Sequence, residues 1–135
     1  MKNLIVFLLL VFSLTACKKA IEAAQEDLIV KAMTDGQWRV TKFEKGGTDV
    51  TTGFSPYKFQ FYANNSVQAI NNGSIESTGN WSGNAAGRTI ASNFTNASAT
   101  LMLLNGTWQV TKNSWTFVEA NQTVNNEVLT LRLDK

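Results

Sequence analysis

The chain has 135 residues, with 12 Lys+Arg, 10 Asp+Glu, no His and one Cys, a length that suits one domain. Without His there is no Ser-His-Asp triad, Cys-His pair or imidazole metal site, and a single Cys makes neither an intrachain disulfide nor a thiolate zinc cluster. Charged residues are 16% of the chain and the net charge is +2, against roughly 25% charged in ordinary globular chains, so nothing here offers nucleic acid a basic field.

Met1-Lys2-Asn3 is a short positive start, followed by the apolar run Leu4–Phe12 and the small residues Ser13–Cys17. The run falls short of the roughly 20 apolar residues that a membrane-spanning helix needs, and it has the basic, apolar and small-residue zones of a secretory signal. Leu14-Thr15-Ala16-Cys17 looks like a bacterial lipobox. That resemblance implies a signal peptide over 1–16, cleaved behind Ala16, with Cys17 diacylated as the anchor to the membrane. Buried acyl chains contribute about 0.8 kcal/mol per CH₂, so such an anchor is close to permanent. Lys18-Lys19 follow, not the Asp that retains many lipoproteins in the inner membrane, which implies the outer membrane. The periplasmic and surface faces both stay open.

Residues 17–35 read as a tether with a short helix. Ile21, Ala24, Leu28 and Ala32, with Ile29 and Met33, recur at helical spacing, and Asp35-Gly36 supplies a stop. The spacing predicts a helix over about 20–34. It either packs across one end of the following domain or stands as a stalk.

After Gly36 the chain reads as strands to its last residues. Tyr57-Lys58-Phe59-Gln60-Phe61 alternates strictly, as a half-buried strand does. Asn64-Asn65, Asn71-Asn72-Gly73 and Asn125-Asn126 are turns, because Asn and Gly tolerate positive φ. Further strands are predicted at Gln37–Lys45, Ser66–Ile70, Ser77–Ser82, Thr89–Ser92, Thr100–Leu104, Thr107–Lys112, Ser114–Ala120 and Glu127–Leu133. Eight or nine short strands at regular spacing predict an all-β, antiparallel up-and-down barrel or a sandwich over residues 36–135. Gly36-Gln37-Trp38-Arg39-Val40-Thr41-Lys42 also returns as Gly106-Thr107-Trp108-Gln109-Val110-Thr111-Lys112, five identities in seven, and Gly79-Asn80-Trp81 repeats the Gly-X-Trp frame.

The Gly-X-Trp frame, Asp49-Val50-Thr51-Thr52-Gly53-Phe54, the Tyr57–Phe61 strand and the late Gly106–Thr111 copy together resemble the small lipocalin-like lipoproteins of Bacteroidota, over roughly residues 36–133. The resemblance implies an antiparallel barrel of about eight strands anchored to the cell envelope. In lipocalins an Arg near the last strand lies across the Gly-X-Trp tryptophan. Arg132 is the candidate here, although alternation turns it away from Leu129, Leu131 and Leu133.

No catalytic, metal or cofactor site is predicted. The carboxylates Glu44, Asp49, Glu76, Glu119 and Glu127 form no paired motif, and Asp49 among Thr48, Thr51 and Thr52 reads as a turn former. Gly46-Gly47 and Gly83–Gly87 lack the Lys-Ser/Thr pair of a phosphate loop and read as hairpin ends. The aromatic load is the chemical signal. Trp38, Tyr57, Phe59, Phe61, Trp81, Trp108 and Trp115 are expected to line the interior, which in an eight-stranded barrel is either filled by side chains or holds one small ligand. Two functions follow: a tethered barrel holding a small apolar or amphipathic ligand, or a solid-cored lipoprotein contacting an envelope protein or glycan.

Overall fold

The structure is a computed structural model that describes residues 19–135; the expected signal segment 1–16, Cys17 and Lys18 lie outside the described residues. A helix, α1, runs over 19–34. It leads into β1 (Arg39–Lys45), β2 (Thr48–Asp49), a 3-10 turn at Thr51–Phe54, β3 (Tyr57–Phe61), β4 (Ser66–Asn71), β5 (Ser74–Asn84) and β6 (Thr89–Asn93). A short helix α2 (Ala99–Met102) precedes β7 (Gly106–Asn113), β8 (Phe117–Val124) and β9 (Glu127–Asp134). Among the described residues no helix is long and apolar enough to cross a membrane.

All nine strands form one antiparallel curled sheet in the order β2-β1-β9-β8-β7-β6-β5-β4-β3. Its ends meet at one point, where Trp38 and Phe59 exchange both backbone hydrogen bonds at 2.9 and 2.8 Å. Beyond that bridge the chain covers its own edge: Phe43 N–H donates to Thr51 Oγ1 at 2.8 Å and Val50 N–H to the Phe43 carbonyl at 2.9 Å. Loop and side chain thus occupy backbone groups that would otherwise invite another strand.

The predicted turns form as their residues dictate. Asn65, Asn72, Asn125 and Asn126 take positive φ, as do Gly46, Gly47 and Gly73. The inner face of the curl is packed by Trp38, Phe43, Phe59, Phe61, Val67, Trp81, Trp108, Leu129, Leu131 and their neighbours. Aromatic pairs knit this core: Phe43 stacks on Phe54 (5.1 Å between ring centroids) and meets Trp108 edge-on (5.8 Å), and Phe61 meets Trp81 edge-on (5.3 Å). Up-and-down connectivity sorts the remaining pieces to two ends. α1 lies where β1 begins and β9 ends, whereas the 3-10 turn and α2 plug the opposite end with buried Phe54 and Leu101.

Three expectations need correction. Residues 100–104, expected as a strand, belong to α2 and the turn after it: Ser98 Oγ caps the helix by accepting from Leu101 N–H, and Leu101 and Leu104, three apart, both point into the core. Ser114–Thr116 is a turn, not the start of a strand. Ser114 N–H donates to the Phe117 carbonyl and Thr116 N–H to Ser114 Oγ. Trp115 therefore rides on a turn and is 56% exposed, not interior, and β8 buries Val118 and Ala120 in place of the odd-numbered face. Finally, α1 packs only through its C-terminal half. Met33 is buried, while Ile21 and Leu28 of the predicted stripe are 58% and 49% exposed.

Candidate functional site

The space inside the curl is small. A cavity of about 40 Å³, lined by Phe59, Phe61, Val67, Trp108 and Leu131 among others, holds a few waters at most and lies far below the roughly 300 Å³ at which ligand pockets begin. Of the aromatic residues expected to line the interior, Trp38, Tyr57, Phe59, Phe61, Trp81 and Trp108 are buried there. Of the two expected states of the interior, filled or ligand-holding, their packing gives the filled one.

The larger space is at the α1 end. A cleft of about 380 Å³ opens between the C-terminal half of α1, the start of β1 and the β5–β6 and β7–β8 turns. Its floor is apolar, made by Ile29, Met33, Trp38, Ile90, Val110 and Val118, and its rim carries Asn84, Arg88, Thr89, Asn113 and Ser114. Trp38 is the only member of the predicted set that reaches it.

Local chemistry fixes how α1 sits over this cleft. Gly36, at φ +80°, breaks the helix and turns the chain back so that Trp38 lies beneath it. The Trp38 indole N–H donates to the Met33 carbonyl at 2.9 Å, satisfying a helix-end acceptor. Gln60 Nε2 donates to the Thr34 carbonyl at 3.4 Å. At Gly83 a Cβ would come within 2.7 Å of Ile29 Cγ2, so the missing side chain is what lets α1 approach β5.

The cation over Trp38 is Lys135, whose Nζ lies 5.0 Å from the indole. Arg132, the residue carried over from the lipocalin pattern, faces outward as alternation indicated and lies 4.5 Å over Phe117. There it grips Asp134 with two nitrogens (2.8 and 3.0 Å) and Glu119 with a third (2.7 Å), while Thr41 donates to the same Asp134. These bonds hold the Arg132 pKa above and the Asp134 pKa below their ordinary values.

A second polar cluster, unseen in the sequence, lies at the α2 end. Tyr57 Oη donates to Glu76 at 2.6 Å, and Asn71 Nδ2 donates to the other carboxylate oxygen at 3.0 Å. The Tyr57 bond pulls the Glu76 pKa down, whereas burial pushes the Tyr57 phenol up. Asp49 accepts from Thr51 N–H at 2.9 Å as a turn former. Among the described residues no group of three or more acidic, Cys or His side chains gathers as a metal site.

The cleft residues missed by sequence reasoning include Arg88, Asn84, Ile90 and Val110. Gly83–Gly87 was legible as a hairpin end, but nothing local says that α1 lies across it.

No protein-family profile matches the chain, and neither does any curated protein. Two solved structures share its fold. A DUF4847 family protein from Bacteroides vulgatus is 12% identical with a TM-score of 0.56, over 78% of this chain and 96% of that one. A lipocalin-like protein from Bacteroides uniformis is 16% identical with a TM-score of 0.50, over 73% of this chain and 96% of that one.

Proposed function

We propose that this protein is a non-enzymatic, outer-membrane lipoprotein, tethered through Cys17, whose lipocalin-like barrel binds a small amphipathic ligand under α1 and not inside the curl. The observation that carries the ligand site is the contrast between about 40 Å³ inside the sheet and about 380 Å³ beneath the helix. Only the second lies in the range of small-molecule sites, and it has their usual make-up of apolar floor and few polar groups. The likeness to a lipocalin-like protein supports the fold that frames it.

Two experiments test this. Titration calorimetry of the full chain with decanol, a neutral amphiphile, should show saturable binding that Ala32→Phe abolishes by filling the cleft, with the circular dichroism unchanged. Binding that persists in Ala32→Phe puts the ligand elsewhere. For the anchor, cell fractionation should find the wild type in the outer membrane with acyl mass on Cys17, and Cys17→Ser released from it.

A specific observation favours a second reading, that of an interaction protein: the core is filled and Trp115 stands exposed on a turn. A stable protein or glycan partner lost on Trp115→Ala, with no small-molecule binding, would favour it.

A further inference from the structure

The rim of the cleft carries one charge, and it is positive. Arg88 is the only ionisable side chain among the residues that line it. Among the described residues it has no carboxylate within ion-pairing distance, whereas Arg132 has two and Lys42, Lys45 and Lys135 have one each. A guanidinium at the mouth of an apolar cleft, with no internal partner, is a free bidentate donor.

Its placement is enforced. Arg88 sits at φ +53°, a left-handed conformation that costs a side-chain-bearing residue free energy and that glycine next door would take at no cost. Gly87 is that neighbour, and its φ is not positive. Strand β7 holds the strained residue in place: Val110 N–H donates to the Arg88 carbonyl at 2.8 Å, and Gln109 Nε2 donates to the Arg88 and Gly87 carbonyls at 3.0 and 3.1 Å. Asn84 stands beside it on the rim. Its Oδ1 accepts from Gly87 N–H at 2.8 Å, which leaves its NH₂ free to donate. The rim therefore offers donors where the floor offers only hydrocarbon.

Resting on the cleft as the ligand site, we infer that its ligand is a compact anionic amphiphile, a carboxylate carried on a short apolar body, and that Arg88 selects it by gripping the carboxylate at the rim. About 380 Å³, at about 30 Å³ per water-sized group, accommodates a body of about a dozen heavy atoms. Decanoate has that size, and its apolar chain would lie on Ile29, Ile90 and Val110 with its head outward.

The test is calorimetric titration of the full chain, below micellar concentrations, with decanoate, decanol and decylammonium at low and high salt. Decanoate should bind about tenfold more tightly than decanol, as a charge-assisted bidentate contact requires. That advantage should shrink in high salt, and decylammonium should bind worst. Arg88→Gln should bring decanoate down to the level at which decanol binds the same variant, and that remaining decanol binding reports that the cleft is intact. Equal binding of decanoate and decanol by the wild type would overturn the inference. So would a decanoate preference that survives Arg88→Gln, or decylammonium binding as well as decanoate. If none of the three binds, the cleft reading beneath the inference falls with it.

Discussion

Trp38 and Trp108 hold the same local arrangement toward opposite mouths of the curl, where β1 and β7 begin. Each buried indole N–H donates at 2.9 Å to a carbonyl of the segment before it, Met33 in α1 and Leu104 just beyond α2. Each follows a glycine of positive φ, Gly36 at +80° and Gly106 at +117°. Each strand then slips register past a threonine, between Val40 and Lys42 in one copy and between Val110 and Lys112 in the other. The five identities of the internal echo supply the left-handed glycine, the capping indole and the Val-Thr-Lys bulge that follow each helical segment.

Trp38→Phe and Trp108→Phe should each destabilise the fold by about 1–3 kcal/mol, since each removes an indole hydrogen bond to a backbone carbonyl and leaves a smaller ring; the Leu104 carbonyl keeps the Ser92 hydroxyl as a donor, so the Trp108 variant should lose less. Urea denaturation checks this. Trp115→Phe, on an exposed turn, should stay within about 0.5 kcal/mol of wild type; an equal loss there would contradict its placement.

The two strand glycines separate hard from soft close approaches. At Gly79 a Cβ would meet the Asn93 carbonyl oxygen at 2.5 Å and Phe94 at 2.9 Å, backbone and core that cannot yield. Gly79→Ala should cost about 3 kcal/mol or more and slow refolding yield. At Gly83 the obstacle is one methyl of Ile29. Gly83→Ala should cost about 1 kcal/mol and act on α1 alone, seen as faster amide exchange over residues 25–34 with the strands unchanged.

Stability should fall at both extremes of pH for separate reasons. Glu76 and Asp134 have folded pKa values held below normal by Tyr57 and Arg132 respectively. Their contribution is present above the unfolded carboxylate pKa, about 4, and is lost as pH drops through the folded values. Tyr57 has its folded pKa raised, so its contribution is present below about 10 and is lost as pH rises beyond that. Thermal midpoints measured against pH should show that Tyr57→Phe removes the alkaline loss and weakens the acid one. An unchanged alkaline limb would show that the phenol–carboxylate pair does not form.

Arg132→Lys should be close to neutral for stability in urea denaturation, despite removing the two-pronged grip on Asp134 and the stack on Phe117. The group and its partners are about a third exposed, so solvent screens most of the Coulomb energy. A double-mutant cycle with Asp134→Asn measures the coupling directly.

The strands with clear alternation were readable without coordinates. Tyr57–Phe61 lies where the period of two placed it, the strand expected at Glu127–Leu133 runs one residue further to Asp134, and the Asn and Gly turns fall where positive φ was needed. Residues 100–104 were misassigned because four apolar residues in five obscured the Ser98 cap and the three-residue spacing of Leu101 and Leu104. Trp115 was misplaced because its alternation with Phe117 fits a strand as well as it fits a turn leading into one. Hydrogen bonds of Ser114 and Thr116 decide between them.

The sequence by itself determined what depends on neighbours along the chain: strand period, turn chemistry, the echo and the aromatic content. Tertiary structure decided whether those rings enclose a space or fill it, and it placed a ligand-sized cleft outside them. Packed volume and the meeting of α1, Gly83 and Arg88 depend on residues more than fifty positions apart. A linear pattern fixes which way a side chain points from its own strand, but not what it meets there.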